Sequence, residues 1–357
     1  MWYDQNYLTI NIDNKFKKEG IETMHIPDNY LSPATCAVMT TAMIPVWTRA
    51  VRKVKYEISK DKMPLLGVGA AFSFLGMMLN VPLPGGTTGH AVGGTLIALL
   101  LGPNAACIAV SIALLIQALL FGDGGILAFG ANCFNMAFVL PYAGYAIYRL
   151  IERHTSTEKG KLVAAGIGAY VGINLAALCA AVEFGIQPLL FKDAAGQALY
   201  CPYPLSVSIP AMMIGHLTIA GIAEVVFTTA IFAYVLKVSP GIVYESKKTS
   251  MKSVFALIAV LIVIAPVGLL ASGTAWGEWA TDEIADVISG GSSLGYVPSG
   301  MKNGFSFEAI FPDYAMPNMP EWFGYILSAV AGVAIVIILF KVIASFMKDK
   351  DRFANEA

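Results

Sequence analysis

The chain has 357 residues, of which 57% are hydrophobic and 13% are charged, whereas an ordinary soluble domain has about 25% charged residues. One water-soluble core cannot bury this much apolar surface. The composition therefore excludes a soluble globular enzyme and predicts an integral membrane protein. The formal net charge of -1 provides no overall field that would attract nucleic acid. We therefore expect the protein to contact the lipid bilayer and to bind no nucleic acid.

Nine apolar segments follow one another along the chain. The third is short and ends at the turn signal Gly102-Pro103-Asn104, so it is predicted to cross only part of the membrane. We predict an all-α polytopic membrane protein, a helical bundle with eight or nine membrane segments. The segments lie near residues 33–51, 64–79, 90–102, 104–121, 126–148, 162–187, 211–236, 253–271 and 322–343.

The distribution of basic residues predicts the orientation in the membrane. If the N-terminus lies outside and every segment crosses, 18 of the 23 lysines and arginines fall in inner loops, and only Lys192 and Lys302 fall in outer loops. Basic residues resist translocation, so this bias predicts an outer N-terminus and an inner C-terminus. We therefore expect a multi-pass protein of a prokaryotic cytoplasmic membrane.

Residues 1–23 do not match the rest of the chain, because they are polar and lack the apolar core of a signal peptide. Codons for Lys18-Glu19-Gly20 can resemble a bacterial ribosome-binding site a short distance before the codon of Met24. We expect translation of the functional protein to start at Met24, or residues 1–23 to be removed. A real N-terminal tail is the alternative.

Met24 and His25 would form a metal chelate if Met24 carried a free α-amine. The amine, the backbone nitrogen of His25 and its imidazole can wrap a divalent ion in fused rings, and a second imidazole would complete four nitrogens in a plane. Such coordination suits Ni(II) or Cu(II), with Co(II) lower in affinity. His90 lies in the glycine-rich stretch 84–94 and is a candidate for the second imidazole. Taken alone, a histidine beside a helix start is more often structural.

Four stretches resemble the CbiM/NikM family, the substrate-capturing S components of energy-coupling factor (ECF) transporters for cobalt and nickel. The resemblance implies an S-component bundle, with Met24, His25 and His90 as a metal trap and Ni2+ or Co2+ as the transported substrate. It also implies no enzymatic activity and no organic cofactor, with a transmembrane coupling (T) component and ATPase subunits as partners. The stretches are MHIPDNYLSP at 24–33, GGTTGHAVGG at 85–94, GANCFNM at 130–136 and GHLTIAGIAEVVFTT at 215–229.

Two departures from the family pattern concern the metal trap. The family motif usually reads Asp-Gly-Tyr, whereas this chain has Asp28-Asn29-Tyr30. Asparagine enters the left-handed backbone region readily, so the turn is predicted to remain. In addition, while residue 23 is attached the nitrogen of Met24 is an amide and a strong ligand is lost.

The chain beyond residue 271 resembles a second, fused component. Two apolar segments enclose the acidic stretch 272–321, and residues 311–317 (FPDYAMP) are similar to a PDGLE-type subunit of nickel systems. We predict three parts: the extension 1–23, the metal-binding bundle 24–250 and a fused two-helix part 251–357 with the outer loop 272–321. Such fusions favour nickel over cobalt, and a separate small accessory subunit is expected only if the fused part does not replace it.

Other polar residues in the apolar segments are further candidates. Asn132 and Asn135 are predicted to hydrogen-bond the free nitrogen of His90 and so orient it as a metal ligand, and Thr87 and Thr88 near His90 are further candidates for this supporting role. Charged or ionisable groups inside a bilayer are expensive and point to function. They form either an ion relay or hydrogen bonds that fix helix packing, and we favour packing. The relay would fit an alternative function, a self-contained secondary transporter or channel for divalent cations. These groups are Glu183, His216 and Glu224.

Overall fold

The computed structural model describes residues 25–60, 62–83, 87–243, 250–271, 274–277, 279, 284–285, 288–289 and 292–347. The predicted extension 1–23, the predicted ligand Met24 and parts of the acidic stretch 272–321 lie outside the described residues.

Helices dominate the described chain. In chain order they are α1 (Pro33–Glu57), α2 (Pro64–Met78), α3 (Gly94–Leu101), α4 (Pro103–Ile116), α5 (Phe129–Asn132), α6 (Leu140–Glu152), α7 (Glu158–Gly185), α8 (Gln187–Leu190), α9 (Leu205–Gly215), α10 (Gly221–Val238), α11 (Met251–Ile264), α12 (Ser299–Lys302) and α13 (Glu321–Phe346).

Shorter elements connect or extend these helices. Wider π-helical turns, which often occur at functional sites, are Gln117–Phe121, Cys133–Val139 and His216–Ala220. Tighter 3-10 segments are Pro240–Ile242, Ala265–Leu270 and Pro312–Tyr314. Two antiparallel hairpins pair β1 (Asn80–Leu83) with β2 (Thr87–His90), and β3 (Ile288–Ser289) with β4 (Ser292–Ser293).

Five helical stretches of the described chain are long and apolar enough to cross a membrane, which confirms the predicted all-α polytopic class. By contrast, α3 has eight residues and spans about 12 Å, far less than the roughly 30 Å hydrocarbon layer. The number and direction of the crossings stay predictions. The five stretches are Pro103–Phe121, Glu158–Leu190, Leu205–Val238, Met251–Leu270 and Glu321–Phe346.

Helix α2 lies at the centre of the bundle, since every residue from Leu66 to Met78 is buried. A helix that is apolar on all sides is surrounded by other elements. The last helix, α13, packs along α2, and small residues allow the close approach. A Cβ added to Gly67 would lie 2.9 Å from the Cα of Ile337, and one added to Gly332 would clash with the ring of Phe74. The C-terminal part is therefore packed into the bundle core.

Candidate metal site

The residues that precede α1 run through the interior of the protein. His25 and Ile26 are 2% and 4% exposed, and α1 begins where the hydroxyl of Ser32 accepts a hydrogen bond from the N–H of Thr35. The side chain of Asn132, at the end of α5, accepts from the N–H of Ile26 and donates to its carbonyl, both at 3.0 Å. This amide holds the main chain directly after His25 as a neighbouring strand would.

Glycines after the Gln117–Phe121 turn let residues 25–28 approach closely. Gly124 has φ +95°, and a Cβ there would lie 3.0 Å from the Cβ of His25. A Cβ on Gly125 would clash with the backbone nitrogen of Asp28. The Asp28 carboxylate accepts hydrogen bonds from the N–H groups of Ile126 and Leu127. Burial raises the pKa of Asp28, while these backbone donors partly lower it.

Asn29, the middle residue of Asp28-Asn29-Tyr30, takes the predicted left-handed conformation, with φ +69°. This confirms that the turn tolerates asparagine in place of glycine. The side chain also makes contacts that glycine cannot make. It donates to the carbonyl of Phe305 and accepts from the N–H of the same residue, both at 2.8 Å. The loop that carries His25 is thus tied to the C-terminal part.

His90 is the last residue of β2 and pairs with Asn80 of β1. Three residues later the chain turns into α3 through Gly93, whose φ is +70°. The carboxylate of Glu224, on α10, accepts from the N–H of Val92 at 2.7 Å and from that of Gly93 at 3.0 Å. A negative charge at a helix N-terminus is favourable, so Glu224 fixes the backbone that follows His90.

His25 and His90 meet inside the protein. Their ring centroids are 5.1 Å apart with the planes at 74°, and the two residues are 2% and 8% exposed. Both line a cavity of about 100 Å³. The structure thus brings together two of the three predicted ligands, 65 residues apart in the chain. Other residues that line the cavity are Thr87, Thr88, Asn132, Asn135, Met136, Phe184, His216 and Trp276.

Asp123 is a partner of His25 that no motif in the sequence indicated. Asp123 is 3% exposed, and its Oδ1 lies 3.0 Å from Nδ1 of His25. Because a carboxylate only accepts, Nδ1 carries a proton in this contact. Nε2 is buried without a hydrogen-bond partner among the described residues. The position of Asp123 within Gly122-Asp123-Gly124-Gly125 was a possible sequence signal for this contact, since glycines there indicate close approach of the backbone.

The two ring nitrogens of His25 offer different ways to hold a metal. A chelate ring with the backbone nitrogen of the same residue closes only through Nδ1, so the ion would take the place of the Asp123 contact. An ion bound through Nε2 would retain that contact, as in carboxylate–histidine–metal triads. In either arrangement a buried carboxylate lies beside the imidazole that would bind the cation.

Within the described part of the chain, no three histidine, cysteine, aspartate or glutamate side chains lie close enough to hold a metal ion. A site built from side chains alone is therefore not found there. A site around His25 and His90 needs additional ligands from the main chain or from residues such as Met24.

Asn132 and Asn135 have partners other than the predicted one, His90. Asn132 binds the main chain of Ile26, because residues 25–28 pass over the start of the π-helical turn Cys133–Val139. Asn135 donates to Glu183 at 3.0 Å. Thr87 and Thr88 precede His90 in β2 and line the cavity. The asparagines thus support the loop of His25 and helix α7.

The three predicted intramembrane groups each have separate partners. His216 bonds the carbonyl of Met212 within its own helix at 2.9 Å. Glu183 receives the Asn135 hydrogen bond, and Glu224 receives those of Val92 and Gly93. Among the described residues, no hydrogen bond or ion pair joins the three to one another. Their geometry supports packing and positioning more than a relay.

Replacing Glu224 by alanine is expected to lower the free energy of unfolding by about 2 to 4 kcal/mol, because two buried N–H groups lose their acceptor. Thermal unfolding of the purified protein in detergent measures the effect. Glu224→Gln keeps one acceptor oxygen and should lose less. Unfolding of the alanine variant at the wild-type temperature would show that the Val92 and Gly93 contacts contribute nothing.

The fold and the site define a multi-pass helical membrane protein whose cavity is built around two facing, buried histidines. Comparison with known proteins agrees with this class. The chain belongs to the CbiM family, described as the cobalt uptake substrate-specific transmembrane region, which matches residues 25–242. Residues 251–349 match the PDGLE domain, which confirms the predicted resemblance of the C-terminal part.

Relatives match across both parts of the chain. One is named a probable fused nickel transport protein, from Lactiplantibacillus plantarum, and is 52% identical over 89% of this chain and 97% of its own. Another, named a fused nickel transport protein, from Rhodobacter capsulatus, is 47% identical over 88% and 95%. A crystal structure of a truncated transition metal transporter is 57% identical and covers 60% of this chain and 99% of its own, with TM-score 0.57.

Proposed function

We propose that this chain is the membrane-embedded, metal-capturing subunit of an ECF transporter that imports Ni2+ or Co2+. The observation that carries the proposal is the pair of buried imidazoles of His25 and His90, 5.1 Å apart on one cavity. Two histidines buried side by side are costly unless their nitrogens are satisfied. Nε2 of His25 is without a hydrogen-bond partner among the described residues, so hydrogen bonding alone does not explain the buried pair.

The proposed ligands are the α-amine of Met24, the backbone nitrogen and imidazole of His25, and the imidazole of His90. Four nitrogens in a plane favour Ni(II), since cobalt binds the same donors less strongly. The names of the two fused relatives point in the same direction. We therefore propose nickel as the substrate, with cobalt as the competitor to be tested. The Asp123 carboxylate next to His25 offsets part of the ion's charge.

Energy for uptake is proposed to come from other chains. The sequence has no G-x-x-x-x-G-K-[ST] loop for ATP. An ATPase pair and a transmembrane coupling component would therefore move the loaded subunit. The PDGLE domain at residues 251–349 would replace a separate small accessory subunit. The outside location of the N-terminus, as predicted from the basic residues, would place the capture site on the side from which the metal arrives.

Uptake of radioactive nickel by cells tests this proposal. The chain is produced in a host that lacks ECF ATPases, either alone or together with its coupling and ATPase subunits. Uptake is expected only with all subunits present, and His90→Ala should abolish it. Nickel uptake by this chain alone would contradict the proposal. It would instead favour a self-contained transporter that uses Glu183, His216 and Glu224.

A further inference from the structure

A chain of hydrogen bonds leads from the C-terminal part to His25. The hydroxyl of Tyr314 donates to Oδ2 of Asp123 at 2.6 Å, and Oδ1 of the same carboxylate lies 3.0 Å from Nδ1 of His25. Gln117 donates to the Tyr314 hydroxyl at 2.8 Å and to Oδ2 at 3.3 Å. Both oxygens of a buried carboxylate are thus engaged, one by the C-terminal part and one by the candidate metal-binding histidine.

The backbone around Tyr314 adopts an unusual conformation. Asp313 and Tyr314 have φ +57° and +59°, a region that non-glycine residues rarely enter and that is retained where the surroundings enforce it. The ring of Tyr314 stacks on Phe121 with centroids 4.7 Å apart. The hydroxyl of Ser328 donates to the backbone carbonyl of Tyr314 at 2.9 Å. The side chain is therefore held firmly against the loop that contains Asp123.

The protonation state of Tyr314 suits this contact. Burial and the neighbouring charge of Asp123 raise the pKa of Tyr314 well above its ordinary value. The hydroxyl therefore stays protonated and donates to the carboxylate, while Gln117 donates to its oxygen. A short hydrogen bond to an ionised acceptor is among the stronger ones in proteins.

We propose that Tyr314 is a positioning residue of the metal site: its hydroxyl fixes Asp123, and Asp123 in turn orients the imidazole of His25 before the metal binds and supplies negative charge beside the bound ion. This rests on the proposed function, in which His25 binds the metal. The mutual Asn29–Phe305 hydrogen bonds are an independent contact between the same two parts. The PDGLE domain thus contributes directly to the order of the capture site.

Nickel affinity of the purified protein, with its N-terminus determined by mass spectrometry, tests this role. Tyr314→Phe removes only the hydroxyl that fixes Asp123 and is expected to weaken nickel binding by about ten-fold, the lower end of the loss caused by removing an outer-shell partner of a metal site. The visible absorption bands of bound Ni(II) should shift, because the orientation of one ligand changes. Neither change is expected of a variant that affects folding alone.

Tyr325→Phe is the matched control. Tyr325 lies 5.3 Å from Tyr314 between ring centroids, is buried, and donates to the carbonyl of Met78 at 2.9 Å. Its variant loses a buried hydroxyl of the same aromatic cluster and should keep wild-type affinity and absorption. An equal loss of affinity in both variants would overturn the positioning role.

A double-variant cycle separates an action through Asp123 from a general effect. In the Asp123→Asn background, Tyr314→Phe is expected to cause little further loss, since its partner charge is already gone. Additive losses, or unchanged affinity and absorption of Tyr314→Phe alone, would overturn the inference and leave the proposed function standing. Absence of nickel binding by the wild-type protein would overturn both.

Discussion

Nickel affinity is expected to fall by about 100-fold or more when His90 is replaced by alanine, since removal of even an outer-shell partner of a ligand lowers metal affinity roughly 10- to 100-fold. The physical reason is that His90 supplies one of the two imidazoles that face each other in the cavity, and its loss leaves an open position. Equilibrium dialysis or titration calorimetry with the protein that begins at Met24 measures the change.

Two other histidines provide controls for this prediction. His154 is exposed at the turn after α6, and His216 lines the cavity but bonds the carbonyl of Met212 within its own helix. Alanine at either position is expected to leave nickel binding close to wild type. If His90→Ala bound nickel as tightly as wild type and His216→Ala did not bind it, the metal site would lie at His216, not at His90.

A chain that begins at Met24 is expected to bind nickel at least about 100-fold more tightly than the 357-residue chain, since losing even an outer-shell partner of a ligand lowers metal affinity roughly 10- to 100-fold. The physical reason is that residue 23 converts the nitrogen of Met24 from an amine, which has a lone pair for the metal, into an amide. Met24 lies outside the described residues, so the prediction depends on the buried position of His25 directly after it and on the chelate chemistry of the first two residues.

The matched control is the chain that begins at Met24 with its N-terminal amine acetylated. It differs from the unmodified chain by one acetyl group and has no free amine at that nitrogen, so it should bind as weakly as the 357-residue chain. Equal tight binding by all three would exclude the amine as a ligand and require another donor beside His25 and His90.

Composition and motif pattern predicted the membrane class, the helical fold and the two histidines. Apolar runs of about 20 residues are sufficient to predict a membrane protein. His25 and His90 lie in motifs whose resemblance to the family is specific. The asparagine in the left-handed turn followed from a local backbone preference. Each of these signals lies within a short stretch of sequence.

The remaining features depend on contacts between distant residues, which hydrophobic periodicity does not encode. Asp123 meets His25 across 98 positions, and Tyr314 meets Asp123 across 191. The β1–β2 hairpin that presents His90 has four-residue strands, too short for an alternating pattern to be distinctive. Glu224 was identified only as a charge within an apolar segment, and its backbone partners 131 and 132 positions away were not.

X-ray absorption spectroscopy of the nickel-loaded protein that begins at Met24 tests the central claim most directly, because it reports the number and type of atoms around the ion. We predict four nitrogen ligands in a planar arrangement, with the outer-shell scattering of two imidazoles, and of one imidazole in His90→Ala. Six donor atoms that are mostly oxygen, or an unchanged imidazole signal in His90→Ala, would contradict a capture site formed by His25 and His90.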